Sequence, residues 1–142
     1  MAVVVEVFLR NGRVDVNTRD DKGMRPLAWA VSRPDSEVVP VVKMFLERDG
    51  VGPDAKDNEG RTPLSLAARG GTAGVVVAFL QHGRVDVNAK DNEGWTPLIW
   101  AVSRNRGVVP VVRVLLQHDP DTKARRAGRL YHGLSAGALL GW

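Results

Sequence analysis

Asp57-Asn58-Glu59-Gly60-Arg61-Thr62-Pro63-Leu64 recurs 34 residues later as Asp91-Asn92-Glu93-Gly94-Trp95-Thr96-Pro97-Leu98, with seven of the eight positions identical. A more divergent copy stands upstream as Asp20-Asp21-Lys22-Gly23-Met24-Arg25-Pro26-Leu27. The flanks repeat too. Gly12-Arg13-Val14-Asp15-Val16-Asn17 reappears unchanged as Gly83-Arg84-Val85-Asp86-Val87-Asn88, and Trp29-Ala30-Val31-Ser32-Arg33 as Trp100-Ala101-Val102-Ser103-Arg104. Self-similarity at a fixed period of this size is the mark of an array of small units that bury their apolar faces against one another.

Each unit has a physical reading. Asp-Asn-Glu-Gly is turn chemistry, since Asp and Asn bond nearby backbone and Gly takes a positive φ. Thr62-Pro63 and Thr96-Pro97 then open a helix, with the hydroxyl as N-cap acceptor and proline at the first helical position, where its missing N–H costs nothing. Leu64, Ala67 and Ala68, like Leu98, Ala101 and Val102, occupy i, i+3, i+4 and predict a short, thin helix. A glycine-containing break follows, and then a valine-rich stretch. Valine accounts for 23 of the 142 residues, a composition that on propensity alone favours strands. The spacing says otherwise. Val38, Val41, Val42, Phe45 and Leu46, and again Val108, Val111, Val112, Leu115 and Leu116, read i, i+3, i+4, i+7, i+8, a helical stripe. Pro40 and Pro110 are compatible with it if they fall in the first turn. Val75 to Leu80 is apolar all round, and its helix is inferred from the shared register.

A unit of turn, short helix, break and second helix, carrying Gly-x-Thr-Pro-Leu and closing on Asp-Val-Asn-Ala, resembles the ankyrin repeat, with residues 57 to 90 as the best match. The resemblance implies an all-α solenoid of stacked helix-turn-helix units joined by hairpin-like loops. There are departures. The family's histidine after Thr-Pro-Leu is replaced by Ala28, Ser65 and Ile99, removing its hydrogen bond to the threonine, and the first unit has Arg25 in place of that threonine. The array is expected to cover residues 1-124: a half-repeat at 1-19, then repeats at about 20-56, 57-90 and 91-124. Residues 125-142 are expected to form a degenerate C-terminal cap or a tail. Val4 to Leu9 matches a second helix without its first, so the chain reads either as a stand-alone module or as a piece of a longer repeat protein.

The 20 basic and 16 acidic side chains leave a net charge of +4 without a basic stripe, so no nucleic-acid partner is expected. The absence of cysteine excludes disulfide scaffolds, thiolate zinc sites and cysteine nucleophiles. With no apolar run near the roughly 18 residues of a membrane span and no signal-peptide pattern, an intracellular protein, cytoplasmic or nuclear, is expected. Catalytic groupings are missing from the sequence. His82 and His118 sit at equivalent Leu-Gln-His positions, which reads as scaffold. Arg69 to Gly74 lacks the lysine of a phosphate loop, and Asp54 to Gly60 has a lysine where a calcium loop needs an oxygen. No enzyme activity, cofactor, metal site or small-molecule substrate is expected.

What the resemblance implies instead is recognition of a protein partner by the turn tips and the concave face of the first helices. The family pattern turns the second position after Thr-Pro-Leu outward, which here is Trp29, Leu66 and Trp100. Trp95 lies at the neighbouring tip and is expected to be exposed, and tryptophan concentrates binding energy because its rigid ring buries much area at small entropic cost. Arg33, Arg69 and Arg104 fall at corresponding ends of the three first helices and form a row suited to an acidic partner. The opposing reading is that the rings only cover adjacent helices and the charges only solvate an edge. Asn17 and Asn88 stand where asparaginyl hydroxylases act in ankyrin proteins, although the same asparagines also serve to bond the turn.

Overall fold

The computed structural model describes residues 2–33, 37–104 and 108–119, with side chains from Glu6 onward. The expected cap or tail at 125-142 lies outside them, as do parts of the breaks near Pro34 and Asn105. Among the described residues there are seven helices and no strand: α1 (Ala2–Arg10), α2 (Pro26–Val31), α3 (Val38–Leu46), α4 (Pro63–Gly70), α5 (Ala73–His82), α6 (Pro97–Arg104) and α7 (Val108–His118). The valines of the stripes lie in α3, α5 and α7, as their spacing predicts.

The start signals act as the sequence suggests. Thr62 is the N-cap of α4 and accepts from the Ser65 N–H at 3.2 Å, with Pro63 in the first turn, and Thr96 accepts from Ile99 N–H at 3.4 Å ahead of Pro97. Arg25 caps α2 with no side-chain bond, so the first unit carries the weakest start. Ser65 corrects one expectation. Although it replaces the family's histidine, its hydroxyl lies 3.2 Å from the Thr62 hydroxyl, so a side-chain bond at that place survives in the middle unit. Pro40 and Pro110 are the third residues of α3 and α7, where no intrahelical N–H is needed.

The helices form two rows. α2, α4 and α6 make one row, α1, α3, α5 and α7 the other, and each hairpin joins the rows. The middle unit is therefore flanked on both sides. This explains why Val75, Val76, Ala78, Phe79 and Leu80 of α5 are all buried: α3 packs on one side and α7 on the other, so no single stripe faces the core. Among the described residues the last unit has a neighbour on one side only. Val102 is 58% exposed and Leu116 38%, whereas their counterparts Ala68 and Leu80 are 0% and 8% exposed.

The turns bind the units edge to edge. In each, an aspartate's Oδ1 accepts two backbone N–H groups: Asp20 from Lys22 and Met24 at 2.9 and 2.8 Å, Asp57 from Glu59 and Arg61 at 3.0 and 2.8 Å, Asp91 from Glu93 and Trp95 at 3.0 and 2.8 Å. The next residue then reaches back to the preceding tip. Asn58 donates its N–H to Lys22 O and its side-chain amide to Asp21 O, both at 2.9 Å, and Asn92 does the same to Glu59 O and Asn58 O at 3.0 Å. Further bonds tie the loops: Asn17 Nδ2 to Gly50 O, 2.9 Å, and the Asp86 N–H to Asp54 Oδ2, 2.9 Å.

This ladder leaves no room at the turn glycine. Gly60 has φ +76°, and a Cβ there would lie 2.5 Å from Asn92 Oδ1 and 2.9 Å from Asn92 N, while Gly94, at φ +81°, faces open space. Both should lose about 1 kcal/mol on mutation to alanine from the left-handed backbone. Gly60→Ala should lose about 1–2 kcal/mol more, because it also displaces the Asn92 bonds. Equal losses in urea unfolding would show that the ladder contributes nothing. Val76→Asp places a charge at a site with 0% exposure and should cost about 4 kcal/mol or prevent folding. A thermal melt matching wild type would rule out the stacked core.

Candidate functional site

The tip aspartates have a second oxygen, and what it binds builds the face beside them. Trp29 Nε1 donates to Asp20 Oδ2 at 2.6 Å and Trp100 Nε1 to Asp91 Oδ2 at 2.9 Å. Both pairs are nine residues apart. In the middle unit the ninth residue is Leu66, which has no donor, and Asp57 Oδ2 is taken by Arg61 Nε at 2.8 Å. Arg61 also pairs with Glu59 at 3.1 Å. Indole and guanidinium thus answer the same carboxylate in different units.

Electrostatics follow these contacts. Burial works against ionisation of Asp91, but the Trp95 N–H, the Trp100 indole, the Glu93 N–H and the charge of Arg61 outweigh it and hold its carboxyl below the ordinary value. Asp20 shows the same balance, with desolvation opposed by the Met24 N–H, the Trp29 indole, and the N–H and charge of Lys22. Asp54 goes the other way: desolvation raises its pKa, the Asp86 charge adds to this, and the Asp86 N–H and Lys56 oppose it.

The predicted residues fall into three groups. Trp95, Trp100, Arg69 and Arg104 come together at the junction of α4, α6 and the third tip. The Trp95 and Trp100 ring centroids are 4.7 Å apart at 57°, and the Arg69 guanidinium lies over the Trp100 ring, 5.4 Å from its centroid. Arg104 is exposed and close enough for its charge to act on Arg69. Trp29 and Arg33 are exposed on the first unit, apart from this cluster. Leu66 corrects the expected outward register: it is only 6% exposed, because α2 and α6 flank α4 on both sides. Trp95 corrects the expectation of exposure, being half-buried against Trp100.

Asp20 and Asp91 hold the indoles and Arg61 takes the equivalent carboxylate in the middle unit, contacts that the charge pattern of the tips does not reveal. The nine-residue Asp-to-Trp spacing in the first and third units, broken at Leu66, was the available signal. The histidines diverge despite their equivalent places. His82 Nε2 lies 3.0 Å from Leu46 O of the preceding unit, while His118 Nδ1 lies 2.9 Å from Val114 O of its own helix. Asn88 Nδ2 donates to Asp119 Oδ1 at 3.1 Å. Among the described residues no group of three or more His, Asp or Glu is placed to hold a metal ion, and no helix is long and apolar enough to cross a membrane.

Comparison with known proteins agrees with this architecture. A family model described as ankyrin repeats, in three copies, matches residues 35–126, more than half of the chain. No curated protein matches it.

The lowered carboxyls of Asp20 and Asp91 stabilise the fold above the ordinary aspartate value of 3.8, and that stabilisation disappears as pH falls through their lowered values. The thermal midpoint should therefore fall as pH is taken from 5 towards 3. Asp91→Asn, whose amide cannot accept with both atoms, should cost about 1–2 kcal/mol at neutral pH and flatten part of that acid slope. An unchanged midpoint together with an unchanged slope would remove Asp91 from this role.

Proposed function

The chain belongs to the ankyrin repeat family, whose members are generally protein-protein interaction modules, and from that premise we propose that it binds a protein partner through its turn tips and the concave face of α2, α4 and α6. The array would run from residue 1 to about 124. It is a scaffold without chemistry of its own: recognition, not turnover, is the work of the face. The observation that carries this reading is the packed set of Trp95, Trp100 and Arg69 beside the third tip.

That set has the properties of a binding anchor. Two indoles in mutual contact offer large apolar area, and the Asp91 bond to Trp100 and the cover of Arg69 limit their rotamers before a partner arrives. An interior role would bury the rings, yet Trp95 and Trp100 are half-buried and Trp29 is 44% exposed. The charged tip residues are largely engaged within the fold: Arg19 Nη2 donates to Asn58 Oδ1 at 3.3 Å and Lys56 Nζ to Lys90 O at 2.9 Å. The tips therefore act first as a rigid frame for the aromatic cluster.

Affinity capture with the full chain tests the reading. A Trp95→Ala, Trp100→Ala double variant should recover its principal protein partner at least tenfold less efficiently, a loss of about 1.4 kcal/mol or more, while retaining the helical circular dichroism of wild type. Equal recovery of the same partners by both proteins would place the interface elsewhere.

A further inference from the structure

Arg61, Arg10, Arg25, Arg19 and Lys56 all have acceptors within the fold. Arg61 is held by Asp57 and Glu59, Arg10 by Glu6 at 2.6 Å, and Arg25 Nη1 donates to Asn17 Oδ1 at 2.9 Å. Arg69 and Arg104 differ. Among the described residues neither has a carboxylate within ion-pair distance, and both lie in the last turns of adjacent helices, α4 and α6. The helix C-terminal dipoles compensate them in part. Even so, Arg69 is disfavoured in its charged form, first by burial and then by the charges of Arg104 and Arg61, with Glu59 acting in the opposite sense.

We propose that Arg69 and Arg104 together receive a carboxylate side chain from an acidic peptide segment of the protein partner, with Trp100 as the wall that orients Arg69. The inference rests on the partner-binding reading above and adds the chemistry of the partner. Stacking of the guanidinium over the ring leaves its N–H edge free for the paired hydrogen bonds that a carboxylate accepts. Trp100 cannot swing away readily, since Asp91 holds its indole N–H and Trp95 lies against it. The receptor is thus organised in advance, and an incoming carboxylate relieves repulsion between two like charges.

A nucleic acid fits this face less well. Base stacking needs an open aromatic face, and Trp100 already carries Arg69 on its ring and Trp95 beside it. The adjoining tip carboxylates of Glu59, Asp91 and Glu93 oppose a run of phosphates. The positive surface is local, suited to one or two acidic side chains.

The test is selection of a peptide library, randomised over eight positions and capped at both ends, by the full chain. Wild type should enrich Asp or Glu at a fixed position. Replacing that residue by Asn or Gln in a selected peptide should weaken its Kd about tenfold, and so should Arg69→Met or Arg104→Met. Arg113→Met, on α7 of the other row, should change it less than twofold. Since Arg104 is exposed, its variant reports on binding even if Arg69→Met folds poorly. Peptides that depend on Trp95 and Trp100 but show no acidic preference defeat this inference alone. No enrichment, or enrichment indifferent to the tryptophan pair, defeats the partner-binding reading with it. Binding of a twelve-residue oligouridylate that Arg69→Met abolishes, stronger than that of any peptide, assigns the face to nucleic acid instead.

Discussion

One carboxylate oxygen per unit fixes the shape of everything around it. Oδ1 of Asp20, Asp57 or Asp91 takes the turn amides two and four residues on, and an ionised acceptor makes such bonds about twice as strong as neutral ones. With the turn closed, the glycine must adopt its positive φ, the following asparagine is aimed at the preceding tip, and the threonine-proline pair begins its helix at a set angle. The two rows of helices then bury their valines. Packing supplies most of the stability of such short helices, since six to eleven residues would hardly persist alone in water. The turn decides which packing is reached.

Structure and surface share that carboxylate. Its second oxygen holds an indole in the first and third units and a guanidinium in the second. The exchange follows from one substitution: Leu66 offers no N–H and, with a neighbour on each side, is free to be buried. The middle unit is consequently the best packed and the least decorated, while the outer units carry the tryptophan rings of the proposed interface. Arg69 joins the two roles, leaving the middle unit's helix to cover the third unit's tryptophan.

The fold was legible because repetition cancels the ambiguity of any single segment. Valine content pointed towards strands, and only alignment of Val38 with Val108 and Phe45 with Leu115 turned it into a helical stripe. Thr62, Pro63 and Pro97 were readable for the same reason: caps are local. The face was less legible. Burial of Leu66 and the half-burial of Trp95 depend on what flanks α4 and what lies against Trp95, which no register within a unit can express. Ser65 kept a bond that its identity seemed to forfeit, because a shorter side chain can still reach Thr62 when the helix start brings the two hydroxyls together.

The back-reaching asparagines give the array a direction. Asn58 and Asn92 donate towards the unit before them, and the carbonyls of Asp21, Lys22, Asn58 and Glu59 accept from the unit after. A repeat copied or deleted as a whole preserves donor against acceptor, whereas a copy inserted in any other phase breaks every contact at the seam. At the corresponding place in the first tip stands Asp21, whose carbonyl accepts but whose side chain has no amide to give. Gene duplication can therefore lengthen such a ladder in whole rungs, and its grammar, not its length, is what selection has to keep.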